Sequence, residues 1–338
     1  MKYTSKLNDK KILALYFIVT FIFSWSFWLV SGVLIRDDVN IKLDNHWLLS
    51  QVGVFGPSLI AIIFTYFCNQ KQNLNNLIKL SAIYFTATML GIMIVRQDLS
   101  RIEQLNQFTA IGIIICLGVI VYYLGMSPHI LNCRQERIHS IMRFVSWAIF
   151  SILFFPILFI LAWTLVNIQT NTPFKTQIGG TEGAIIVHLL ILFSFDIIFG
   201  GAFGEEIGWR GFVLPILLNR YSPLKSGLIL GIFWSLWHLP IDLFQGFGVA
   251  GISGILMRLL LVCPMSIIIT WFYIHTQKPI LSALLLHASL NILPIIKFTN
   301  YELSMAVMII EMITICIFII AIDKKFMTIP QFLQRNND

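Results

Sequence analysis

Two adjacent carboxylates, Glu205 and Glu206, lie in the segment Gly201–Pro215, whose other residues are mostly apolar. An ionisable side chain at membrane depth costs about 2.5–3.5 kcal/mol on insertion scales, so such residues usually serve a function. On an α-helix, Glu206 and Arg210 share one face, where their charges can neutralise each other. Glu205 points about 100° away from Glu206. We therefore predict a structural Glu206–Arg210 pair and a free Glu205 carboxylate aimed at a neighbouring helix.

Small residues recur at helical spacing through the same segment, as a seam that lets a second helix approach closely; they are Gly201, Gly204, Gly208 and Gly211. Glu205 lies beside this seam, whereas Glu206 and Arg210 lie away from it. The alternative for this segment is a cytoplasmic loop that carries an ordinary surface charge cluster.

Two later apolar segments carry further polar side chains. His238 is followed closely by Pro240, and His287 stands four residues before Asn291, hence on the same helix face. A lone intramembrane histidine is explained well enough by a hydrogen bond to a neighbouring carbonyl. Three segments with such groups indicate a shared site, because every polar group in lipid needs a partner.

Together these groups can activate water in two ways. Glu205, His238 and His287 form a His₂Glu set, the ligand set of a catalytic zinc site that leaves a position for water. Without a metal, Glu205 would act as general base while His238 positions the water. Asn291, alongside His287, would donate to the developing oxyanion. Zn²⁺ and a metal-free site are both compatible with the residues, and the metal-free version accounts better for Asn291.

The motifs resemble those of the CPBP intramembrane proteases, which include CAAX-prenyl endopeptidases, bacteriocin-immunity proteins and abortive-infection-type proteins. The family pattern is EExxxR, then FxxxH, then HxxxN. Glu205-Glu206-x-x-x-Arg210 matches the first motif, and His287-x-x-x-Asn291 matches the third. The resemblance covers roughly residues 183–296.

The second motif departs from the family pattern, because the residue four before His238 is Trp234, with Phe233 one position earlier. The resemblance implies an intramembrane endopeptidase, and the distribution of Lys and Arg places its Glu205 near the cytoplasmic surface. Its catalytic residues would be Glu205, His238, His287 and Asn291, with Glu206 and Arg210 as structural support.

Composition predicts an all-α, polytopic membrane protein. Of 338 residues, 57% are hydrophobic and 12% charged, whereas soluble domains carry about 25% charged residues. The net charge of +7 indicates topology rather than nucleic-acid binding, because the basic residues cluster at span ends. The expected partners are the lipid bilayer and a peptide or membrane-protein substrate.

About ten crossings are expected, at Ile12–Ile35, Trp47–Cys68, Leu80–Val95, Phe108–Leu124, Phe144–Val166, Ala184–Ile198, Gly227–Gln245, Ile252–Ile274, Pro279–Ile296 and Leu303–Ile322. Most Lys and Arg residues then lie inside if both termini are cytoplasmic, and the composition suggests a bacterial plasma membrane. We predict an N-terminal transmembrane region (1–182), a catalytic helix bundle (183–300), and a last helix with a cytoplasmic tail (301–338).

Two other functions fit the same residues. Glu205, His238 and His287 would form a proton or cation path in a transporter. Alternatively, the fold would serve as a non-catalytic immunity or scaffolding protein that binds another membrane protein. Two other acids lie in apolar segments. Asp242, four residues after His238, would orient His238 if the helix continues past Pro240, and Asp196 would pair within the bundle.

Overall fold

The computed structural model describes residues 9–36, 50–67, 134–172, 182–244, 252–276, 279–296 and 299–328. These residues are helical and include no strand, which confirms the predicted fold class. The α-helices are α1 (Asp9–Arg36), α2 (Gly56–Phe67), α3 (Arg134–Thr170), α4 (Glu182–Phe199), α5 (Gly201–Gly208), α6 (Leu214–Leu218), α7 (Pro223–Trp237), α8 (Leu239–Phe244), α9 (Ile252–His275), α10 (Pro279–Asn291) and α11 (Tyr301–Ile322).

Four of the described helices are long and apolar enough to cross a bilayer, over Asp9–Ser31, Met142–Thr170, Ile252–His275 and Tyr301–Ile322. They expose large apolar side chains, such as Ile22 at 66% and Ile317 at 63%, which water would not favour. The chain is a polytopic helical membrane protein. The predicted spans Leu80–Val95 and Phe108–Leu124 lie outside the described residues.

The chain divides into two compact units. The first comprises Met1–Thr86, Phe203–Trp271 and Met312–Asp338, and the second comprises Ala87–Ala202 and Phe272–Glu311. Within the first, α1 packs against α2, α7 and α8. Within the second, α10 packs against α3 and α4. The division of the chain at residues 183 and 300 stays a prediction.

Helix α7 has clear sequence signals at both ends. Ser222 caps its start by accepting a hydrogen bond from the backbone N–H of Lys225, and Pro223 occupies the first turn, where no N–H is needed. The helix ends before His238, whose φ of −76° and ψ of −4° leave the helical path. Pro240 disfavours helical continuation before it. The predicted span Gly227–Gln245 is therefore two helices, α7 and α8.

The motif helix α5 packs closely against the start of α2. A Cβ on Gly208 would lie 2.5 Å from backbone atoms of Pro57, and one on Gly204 would lie 3.0 Å from the Phe55 ring. This confirms the close approach predicted for these two glycines. Directly after α5, Trp209–Val213 forms one turn of π-helix, a widening often found at functional sites.

Candidate active site

The Glu206–Arg210 pair predicted from spacing is present in the first unit. Arg210 Nη1 donates to Glu206 Oε1 at 2.7 Å, and both side chains are fully buried. Arg210 also reaches Ser266 Oγ at 3.4 Å and lies over the Trp234 ring, 4.4 Å from its centroid. The guanidinium is thus held by a carboxylate, a hydroxyl and an aromatic face.

Glu205 is buried in the same unit, with 5% of its surface exposed. Its Oε2 accepts a hydrogen bond of 2.6 Å from the indole Nε1 of Trp234, which is 29 residues away in the chain. The prediction that Glu205 faces a neighbouring helix is confirmed. The prediction that its carboxylate is free is wrong, because a helix packed this closely in an apolar interior brings a donor to the charge.

The break after α7 determines the orientation of His238. The backbone N–H of His238 bonds to Ser235, so the carbonyl of Trp234 accepts instead from His238 Nδ1 at 2.9 Å. A carbonyl can only accept, so Nδ1 carries the proton, and in the neutral ring Nε2 carries the lone pair. The ring also stacks on Trp28, with centroids 6.3 Å apart. His238 is therefore held in the tautomer that a water-positioning base requires.

Asp242 does not orient His238. Its carboxylate, 1% exposed, accepts from Arg258 Nη2 at 2.5 Å and from Nε at 3.1 Å. This bidentate ion pair links α8 to α9. The role for Asp242 depended on a continuous helix, and this condition is not met, because α7 ends at Trp237 and the helix breaks at His238. The Trp234 carbonyl supplies a contact that orients the ring.

The third motif lies in the second unit. Asn291 Nδ2 donates to Asp196 Oδ2 at 3.0 Å, and the backbone N–H of Gly201 donates to Asp196 Oδ1 at 2.9 Å. His287 is 4% exposed and interacts electrostatically with Asp196. Asp196 thus pairs within the bundle as predicted, and its partner is Asn291. Because a carboxylate only accepts, the amide nitrogen of Asn291 is the atom turned towards Asp196.

The described part of the chain contains no ligand set for a resident metal ion. No three His, Cys, Asp or Glu side chains gather there closely enough to hold one ion. Glu205 and His238 belong to the first unit, and His287 belongs to the second. The described residues therefore give no support to the zinc alternative, and no step proposed below depends on a metal.

The model of the type II CAAX prenyl endopeptidase Rce1-like family matches residues 186–293. This segment is therefore similar to the Rce1-like type of CAAX prenyl endopeptidase. A CAAX prenyl protease 2 of Methanococcus maripaludis is 32% identical over 158 residues, which cover 40% of this chain and 54% of that protein. The chain thus spans about half the length of this curated relative.

The matched segment includes two residues that sequence reasoning left without a role at the site. Trp234 contacts both Glu205 and His238, and Asp196 holds Asn291. Position alone gave a signal only for Trp234, since a residue four before a histidine lies beneath it on a helix. An aspartate in an apolar run indicated a partner for Asp196 but not which one.

Proposed function

We propose that this protein is an intramembrane endopeptidase that hydrolyses a peptide bond near the cytoplasmic membrane surface, with Glu205 as general base. The observation that carries the proposal is that one residue, Trp234, is hydrogen-bonded both to the buried carboxylate of Glu205 and to the imidazole of His238, whose tautomer this bond fixes. Further support comes from the Rce1-like match over residues 186–293.

In the proposed reaction, Glu205 takes one proton from a water molecule while Nε2 of His238 accepts a hydrogen bond from the same water. The water oxygen then bonds to the carbonyl carbon of the scissile peptide. An apolar interior strengthens this step, since few competing waters reach the carboxylate. Glu205 returns its proton to the leaving nitrogen as the C–N bond breaks, so the base is regenerated.

The oxyanion that forms on the peptide carbonyl needs donors, and we assign this role to Asn291 and His287. Asp196 takes one N–H of Asn291 at 3.0 Å, which fixes the amide plane and leaves the second N–H as a donor. One such donor in other enzymes contributes about 10²–10³-fold to kcat.

For the substrate, we propose the C-terminal tail of a membrane-bound protein, following the name of the relative in Methanococcus maripaludis. Exposed apolar side chains on the long helices place the protein in lipid, where a lipid-anchored tail is concentrated. Both termini would lie on the cytoplasmic side.

Cleavage by purified protein in detergent micelles tests the proposal directly. A farnesylated CAAX peptide and an unmodified membrane peptide would be incubated with wild-type protein and with Glu205→Gln, and the products mapped by mass spectrometry. We expect one cleavage position with wild type and at least about a 10³-fold lower rate with the variant, because glutamine keeps the shape but cannot take a proton.

Two outcomes would count against the proposal. Full activity of Glu205→Gln would exclude Glu205 as the base. No cleavage of any peptide by folded wild-type protein would favour the non-catalytic scaffold. The control variant is Asp9→Asn, which removes a partly exposed carboxylate of the first unit and should leave cleavage unchanged.

A further inference from the structure

We propose that Trp234 is a positioning residue that holds the Glu205 carboxylate through its indole N–H, a function that phenylalanine at this position could not perform. The inference rests on the proposed function, because it assigns to Trp234 a part in presenting the general base. It also predicts a hydrogen bond that can be observed without any activity.

Three contacts radiate from Trp234. Its Nε1 donates to Glu205 Oε2 at 2.6 Å, its ring face lies 4.4 Å from Arg210 Cζ, and its carbonyl accepts from His238 Nδ1 at 2.9 Å. The side chain is 1% exposed, so these contacts exchange little with water. One residue therefore contacts the base, the water-positioning imidazole and the structural cation.

The three contacts depend on different parts of the residue. The carbonyl belongs to the backbone, and any residue in this conformation supplies it. The ring face would be supplied by phenylalanine as well, since any aromatic ring attracts a cation. Only the N–H requires tryptophan, and only the N–H reaches Glu205. The departure of this chain from the FxxxH pattern thus has a specific chemical consequence.

A donor on Oε2 restricts how the carboxylate can turn. A hydrogen bond to an ionised group is short and directional, so Oε2 stays on the indole and Oε1 becomes the oxygen presented for proton transfer. Displacing a reacting group by about 1 Å can lower a rate about 10²-fold. The N–H should therefore affect kcat. KM should change little, because Trp234 does not contact the substrate in this assignment.

The first test is Trp234→Phe, which removes the N–H and keeps the ring face and carbonyl. We expect kcat to fall about 10- to 100-fold with KM within about twofold of wild type. Trp209→Phe is the matched control. Trp209 is also fully buried in the first unit, and its Nε1 has no hydrogen-bond partner among the described residues. The control should retain wild-type kcat within about threefold.

The second test observes the bond itself. In ¹⁵N-tryptophan-labelled protein in micelles, Trp234→Phe removes one of the nine indole resonances and so assigns it. Glu205→Gln replaces an ionised acceptor by a neutral amide, so the assigned resonance should move upfield. The Trp209 resonance should stay in place.

The outcomes separate the two proposals. If the chemical shift of the Trp234 indole does not change in Glu205→Gln, or if Trp234→Phe retains wild-type kcat, the positioning role is overturned. If wild-type protein cleaves nothing while the resonance moves, the hydrogen bond stands and the endopeptidase proposal fails. A loss of kcat in Trp234→Phe alone, with Trp209→Phe active and both folded, supports the positioning role.

Discussion

The buried ion pair offers the sharpest test of how the motif helix is stabilised. Glu206 and Arg210 are both 0% exposed and are joined at 2.7 Å. Removing one partner of such a pair leaves a charge without its counter-ion and costs about 3–5 kcal/mol. Glu206→Gln should cost an amount in this range. Arg210→Met should cost about 1 kcal/mol more, because it also removes the guanidinium from the face of Trp234.

The double variant Glu206→Gln with Arg210→Met removes both charges of the pair. We expect it to be roughly 1–3 kcal/mol more stable than the sum of the two single losses predicts. The stability contributed by the contact between the Arg210 guanidinium and the Trp234 ring should not be recovered, because the double variant lacks the guanidinium. Unfolding free energies would be measured in mixed micelles titrated with a denaturing detergent and followed by circular dichroism.

The matched control is the Arg220–Asp9 pair, which lies in the same unit. Its atoms are 3.2 Å apart, and its side chains are 34% and 25% exposed. Because water screens such pairs, either substitution there should cost less than about 1 kcal/mol. Losses at Glu206 and Arg210 that simply add, to within about 0.5 kcal/mol, would refute the reasoning, since no coupling would then join the two charges.

Two further predictions concern the second unit and the metal. Asp196→Asn turns a donor towards the Asn291 amide, which must flip, so kcat should fall about 10- to 100-fold. In the background of Asn291→Ala this loss should vanish, as a comparison of the kinetics of the single and double variants would show. Chelation should leave cleavage rate and thermal stability unchanged, as measured after dialysis against a strong chelator; an activity that disappears and returns with Zn²⁺ would restore the His₂Glu zinc site.

The sequence by itself determined the features that follow from local spacing and composition. An apolar chain with few charges must be helical in lipid, because each helix satisfies its own backbone. The four-residue spacing of Glu206 and Arg210 was enough to predict their contact, since helical geometry places them on one face. The glycines at positions 204 and 208 likewise predicted close helix packing.

Only the tertiary structure decided which distant groups meet. Trp234 lies 29 residues from Glu205, and Asp196 lies 95 residues from Asn291. No periodicity relates such positions, because the rotation and register of one helix against another depend on the packing of all their side chains. The break in the helix at His238 also separates Asp242 from the helix face of His238, and the Asp242 carboxylate binds Arg258. Helix spacing therefore predicted which charged residues of the motif helix pair with each other. The packing of the helices determined which distant residues contact Glu205 and Asn291.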